Sequence, residues 1–178
     1  EKVALQVAEQ ISDYLKTGAI TNAVNTFSLT ASEYNTVQPY LKLSEQLGGF
    51  AGQLTENAIK KITVEFEGVI SKINTQPLIQ TIICFLLKKN FDGVNIINSV
   101  SVAKTKSIQI TTIKHENAGE YQSSVTLTIE TEKQTRSVSG TLFGGKPRIV
   151  NVKGIKIEAE LSKYNLYISN EDKPGFIS

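Results

Sequence analysis

Methionine and tryptophan are missing from the 178 residues, and cysteine and histidine occur once each, as Cys84 and His115. A single thiol closes no internal disulfide, so the chain is not a disulfide scaffold. A single imidazole excludes a histidine pair, a histidine–cysteine zinc set or a two-histidine iron site built by this chain alone, and no metal is expected. Proline is scarce at 4 and glycine modest at 12, which excludes collagen-like and low-complexity classes. A hydrophobic share of 40% excludes disorder. No apolar run approaches the roughly 18 residues of a membrane span, and the opening Glu1-Lys2-Val3-Ala4-Leu5 lacks a basic-then-apolar leader. Charge is nearly balanced: 19 Lys plus Arg against 17 Asp plus Glu leaves +2, far from a nucleic-acid footprint. The expectation is a soluble cytoplasmic chain, cut from something longer, with neither a nucleic-acid nor a membrane partner.

What is present is period. Val3, Val7, Ile11 and Leu15 recur every four residues, with Glu9, Gln10 and Asp13 opposite, which predicts an amphipathic helix ending at Gly18. An extended linker is expected from Gly18 to Asn35. A second helix is expected from about Thr36 to Leu54, with Pro39 in its first turn and Gly48-Gly49 ending or kinking it. Lys61 to Gly68 alternates with period two, a strand whose Ile62, Val64 and Phe66 share the buried face. Asn74-Thr75-Gln76-Pro77 reads as a helix start before Leu78–Leu87, a run long enough to favour a buried helix, and a short helix is expected around Ile97 to Lys104. β-type runs follow at 108–115, 121–131, 135–143, 148–152, 155–159 and 164–169, punctuated by Gly, Asn and Lys. Helices early and strands late predict an α+β fold, a mainly antiparallel sheet with helices packed on one face.

The chemistry on offer is thin. Gly140-Thr141-Leu142-Phe143-Gly144-Gly145-Lys146 fits part of a phosphate loop, but Pro147 stands where a magnesium-binding hydroxyl belongs, and a strand follows where a helix is needed. Gly144-Gly145 therefore reads as a β-turn. Lys146 and Arg148 beside it offer a weak site for a phosphate or carboxylate, against the plainer reading that Arg148 pairs with a carboxylate such as Glu158 across the sheet. His115 falls in a polar turn without a partner for acid–base work, and Cys84 lies in the most apolar run as a small hydrophobe. Glu65 with Glu67, and Glu158 with Glu160, share strand faces as solvated carboxylates. Lys60, Lys61, Lys88 and Lys89 belong to separate elements and make no nucleic-acid stripe.

Several segments, in order, resemble the C-terminal part of long-form D-3-phosphoglycerate dehydrogenase. Val3 to Ile11 with Thr17-Gly18-Ala19-Ile20-Thr21-Asn22-Ala23-Val24-Asn25 is similar to the helix leaving that family's catalytic core and the linker after it. Leu41 to Gly48 resembles its next helix, and Val94-Asn95-Ile96-Ile97-Asn98 stands where the family has a similar Asn-rich stretch. Gly140-Thr141-Leu142-Phe143-Gly144, with Pro147-Arg148-Ile149-Val150-Asn151-Val152 and Gly154, matches its G-T-x-F-G…P-R-[IV]-V segment. Asn170-Glu171-Asp172-Lys173-Pro174-Gly175-Phe176-Ile177 resembles the first loop of an ACT domain.

The resemblance implies a regulatory anion- or substrate-binding domain that is not catalytic by itself. It divides the chain into the terminal helix of a truncated core (1–17), an allosteric substrate-binding domain (18–160) and the first strand and loop of a truncated ACT domain (161–178). The family's NAD fingerprint and catalytic histidine precede the helix at Glu1, so no catalytic residue and no cofactor site is expected here, and His115 is not that histidine. Arg148 is the anion-binding residue carried over, with Lys146, Gly144 and Gly145 beside it. Family arginines elsewhere in this segment are replaced by Ile155 and Glu160. Asn170 and Asp172 match the ACT positions that contact serine in regulated members. The partners implied are a phosphate-bearing or carboxylate small molecule, serine in the intact protein, and further copies in a homo-oligomer. The rival from a related class is the similar module of an L-serine dehydratase β-subunit, or a stand-alone small-molecule-binding domain.

Overall fold

The computed structural model describes residues 2–17, 31–162 and 164–168. Its elements run α1 (Lys2–Thr17), α2 (Ala31–Leu54), β1 (Ile59–Gly68), a 3-10 turn (Val69–Lys72), α3 (Gln76–Leu87), α4 (Ser99–Thr105), β2 (Gln109–His115), β3 (Ser123–Thr131), β4 (Thr135–Phe143), β5 (Lys146–Val152) and β6 (Ile155–Ala159). The six strands form one sheet in the order β2-β1-β3-β4-β5-β6. Only β1 and β2 pair in parallel, and their connection must cross the sheet, which is what α3 and α4 accomplish. The rest is an antiparallel meander, and the fold is α+β as the order of elements implies.

Alternation decides the two faces. Ile62, Val64 and Phe66 of β1 are fully buried, and Val125, Leu127, Ile129, Val138 and Ile149 continue that face across the neighbouring strands. The helices close over it: Leu43 and Leu47 of α2 and Leu78, Ile82, Ile83, Leu86 and Leu87 of α3 share one core with these strand residues. Each such side chain contributes about 1.5–3 kcal/mol on burial. The opposite face carries hydroxyls, among them Ser124, Thr126, Ser137, Ser139 and Thr141.

Four expectations are corrected. The second helix begins at Ala31, five residues before Thr36, because Tyr34, Val37 and Leu41 form a stripe that packs on the core. Residues 18–30 of the expected linker lie outside the described residues. Pro39 sits inside that helix, where it gives up one backbone bond. Gly48-Gly49 neither ends nor breaks the helix, because bare backbone lets α2 approach α3: an added Cβ at Gly52 would lie 2.8 Å from the Leu86 carbonyl oxygen, and one at Gly48 would press on that of Ile82. Residues 164–168 form no strand. Tyr167 instead meets Phe50 of α2 edge-on at 5.9 Å, which holds the segment against the helical layer, and the Lys153 ammonium of the β5–β6 turn lies 5.7 Å from the same ring. On α1, Leu5, Ile11 and Leu15 are exposed. No helix among the described residues is long and apolar enough to cross a membrane.

Candidate anion-binding site

The hairpin of β4 and β5 turns on Gly144 (φ 55°) and Gly145 (φ 77°), a left-handed pair that glycine adopts without strain and that suits the twist of a two-residue hairpin. It sets Phe143 opposite Lys146, Leu142 opposite Pro147, Thr141 opposite Arg148 and Gly140 opposite Ile149. Pro147 and Ile149 turn inward to the core, so Lys146 and Arg148 both stand on the opposite, hydroxyl-bearing face. The turn is therefore a β-turn within a hairpin, not the strand-to-helix junction of a phosphate loop.

Arg148 is held from two sides. One of its terminal nitrogens donates to the Pro147 carbonyl at 3.0 Å and the other meets the Glu160 carboxylate at 2.9 Å. The carboxylate is Glu160 and not Glu158, for a reason of register. A bulge between Ile149 and Asn151 shifts the β5–β6 pairing by one residue, so that Ala159 faces Ile149 and the next residue, Glu160, reaches Arg148. Glu158 is left exposed. Thr141, buried on the same face opposite Arg148, donates from its hydroxyl to the Ser123 carbonyl. Lys146 is exposed and has no hydrogen-bond or ion-pair partner among the described residues.

Beside this pair the hydroxyl face dips into a depression of about 170 Å³ lined by Glu67, Glu120, Ser124, Ser139, Asn151 and Lys156. Its groups largely satisfy one another: Ser124 donates to Glu67 at 2.9 Å, Thr126 and Ser139 share a hydrogen bond of 2.8 Å, and Lys156 pairs with Glu120. That contact raises the Lys156 pKa above its ordinary value. The signal for this face in the sequence is the period-two run of Ser and Thr through β3 and β4, which carries no charge.

The remaining candidates stay apart. Glu65 and Glu67 stand two residues apart on the hydroxyl face of β1, Glu67 accepting from Ser124, while Glu160 is taken by Arg148 and Glu158 is exposed. His115 ends β2, exposed and opposite Glu67 in the register. Cys84 is fully buried in α3, where loss of solvation pushes its thiol pKa up against the pull of Lys88. Asn170 and Asp172 lie outside the described residues. Among the described residues no group of three metal-ligating side chains occurs.

Fold and surface together define an α+β module with a basic hairpin on its open sheet face. The profile of the D-3-phosphoglycerate dehydrogenase intervening domain matches residues 36–153, and the chain belongs to that family. It is 34% identical over 178 residues to D-3-phosphoglycerate dehydrogenase of Synechocystis, covering 98% of this chain and 32% of the relative. It is similar to the enzymes of the same name from Bacillus subtilis (25% identical, 98% of this chain and 34% of the relative) and Archaeoglobus fulgidus (27%, 98% and 33%). The chain thus spans about a third of the length of these curated relatives.

Proposed function

We propose that the chain is a regulatory module of a D-3-phosphoglycerate dehydrogenase, and that it binds a phosphate-bearing or carboxylate metabolite at Lys146 and Arg148. In this reading residues 18–160 are the sensing domain and 161–178 begin an ACT domain, where Asn170 and Asp172 would meet serine. The NAD-dependent oxidation of 3-phosphoglycerate, in a cytoplasmic homo-oligomer, falls to parts of the enzyme outside this chain. The observation that carries the proposal is the placement of both cations on one strand, two residues apart, on the face of the sheet that no helix among the described residues covers. Arg148 presents a planar fork suited to two oxygens and Lys146 a mobile point charge. Gly144 and Gly145 have open space around them, so backbone amides of the turn are approachable.

Charge-assisted hydrogen bonds contribute about 1.5–3 kcal/mol each, so two cations near the surface support affinity on the order of millimolar once ordering costs are subtracted. Titrating 3-phosphoglycerate or inorganic phosphate into isotope-labelled protein should shift the amides of residues 144–148. Those shifts should vanish in Arg148→Ala. No shift there at ligand concentrations well above millimolar rejects the site.

A further inference from the structure

We infer that Glu160 gates the Arg148 site: its carboxylate fills the guanidinium fork until a dianionic phosphate displaces it, and its release is passed to the segment that starts at Leu161. The inference rests on the anion-site reading above and adds to it which anions enter and what their entry moves.

The two partners of the ion pair are unequal. The Arg148 side chain is 20% exposed and tied to the Pro147 carbonyl, whereas Glu160 is 61% exposed and stands just beyond the last residue of β6. Arg148 is therefore the fixed half and Glu160 the half that can swing into water. With Glu160 in place the site holds two cations and one carboxylate, a net single positive charge. A ligand must first compete with a carboxylate tethered through a hairpin at high effective concentration. A monocarboxylate merely exchanges one carboxylate for another and loses. A phosphate dianion has a second charge for Lys146, which no described carboxylate neutralises, so it gains more than it displaces.

The consequence of displacement lies next door. The Leu161 carbonyl accepts a hydrogen bond from the Gln46 side-chain amide at 3.3 Å, and Tyr167 rests on Phe50. Leu161, Ser162 and Tyr167 form one wall of a cavity of about 750 Å³, and Gln46 and Phe50 of α2 form the other. Glu160 is bonded directly to this wall. When it leaves Arg148, one of the contacts that tie the wall to the sheet is lost, the Ala159–Ile149 pairing and the Lys153–Tyr167 contact remaining, and Gln46 senses the change. The anion site and the chain past residue 160 thus share one switchable contact.

The test compares the wild-type chain with Glu160→Gln and Glu160→Ala, titrated at constant ionic strength with inorganic phosphate and with acetate at about pH 8, where the phosphate is dianionic. Wild type should respond to phosphate and not to acetate. Both variants should bind phosphate about three- to tenfold more tightly, in keeping with the loss of one partly exposed competing ion pair, and should begin to bind acetate. Phosphate should also move the Gln46 side-chain amide resonance in wild type. Equal phosphate affinity in wild type and variants overturns the gate while leaving the anion site standing. An unmoved Gln46 signal at saturating phosphate overturns the link to Leu161. Binding to none of the three proteins, with each still folded by its amide spectrum, overturns the anion-site reading itself and the gate with it.

Discussion

Gly48 and Gly49 are neighbours in α2 with opposite surroundings. A Cβ at Gly48 would collide with the Ile82 backbone of α3, while one at Gly49 would meet nothing within 4 Å. Gly48→Ala should therefore destabilise the fold by about 1–3 kcal/mol through forced separation of two packed helices. Gly49→Ala should stabilise it by about 0.5–1 kcal/mol, because alanine loses less freedom in a helix. Urea denaturation of the two variants checks both signs. Neither fate is legible in the dipeptide, which signals only a weak point in a helix; the contact across to α3 decides. Cys84, by contrast, was readable, since its apolar flanks already placed it in the core. Burial raises its pKa, so the unfolded thiol ionises at a lower pH than the folded one. Its share of stability is intact below the ordinary thiol pKa and is lost as pH rises through the folded value. A thiol reagent at neutral pH should leave the native chain unmodified and react fully only after denaturation, and rapid native labelling contradicts the buried placement.

At the scale of elements, the limits expected for β4 and β6 are those the structure shows, because β4 runs into the Gly144-Gly145 turn and β6 starts from Lys153-Gly154, all at positive φ. The parallel partnership of β1 with β2 was not legible: an amphipathic strand shows which face is buried and not who lies beside it. Nor was the bulge between Ile149 and Asn151, and with it went the identity of the carboxylate on Arg148, expected as Glu158 and found as Glu160. A register slip of one residue is a backbone event with no signature in side-chain pattern. The glycine turn is the element on which the candidate site depends. Replacing Gly144 by Asn should be tolerated, since Asn-Gly suits the same turn, whereas alanine at both positions should cost about 1–2 kcal/mol for each left-handed residue. Thermal unfolding measures that loss, and the same double variant should weaken the phosphate response at residues 144–148.

For the whole molecule, the family was legible through the order of its segments, and the α+β architecture through the order of its elements. The hydroxyl face was not, since its meaning depends on which side the helices choose. That architecture also bears on nucleotide chemistry. A dinucleotide cradle needs a parallel strand, a glycine-rich turn and a helix whose first amides meet the pyrophosphate. Among the described residues, one parallel pair exists, β1 with β2, and β1 leads into Gly68 and a 3-10 turn in which Val69 donates to the Gln122 carbonyl and Ile70 to the Ser123 hydroxyl. Those amides are already committed to protein oxygens, and a single glycine stands where the fingerprint has three. His115 ends the partner strand exposed, with no hydrogen-bond partner among the described residues to orient it as a base. The 178-residue chain on its own should therefore neither quench nor enhance nicotinamide fluorescence saturably, nor form NADH from NAD and 3-phosphoglycerate above a protein-free blank. Turnover that survives repeated purification would place a cradle where the β1 junction shows none.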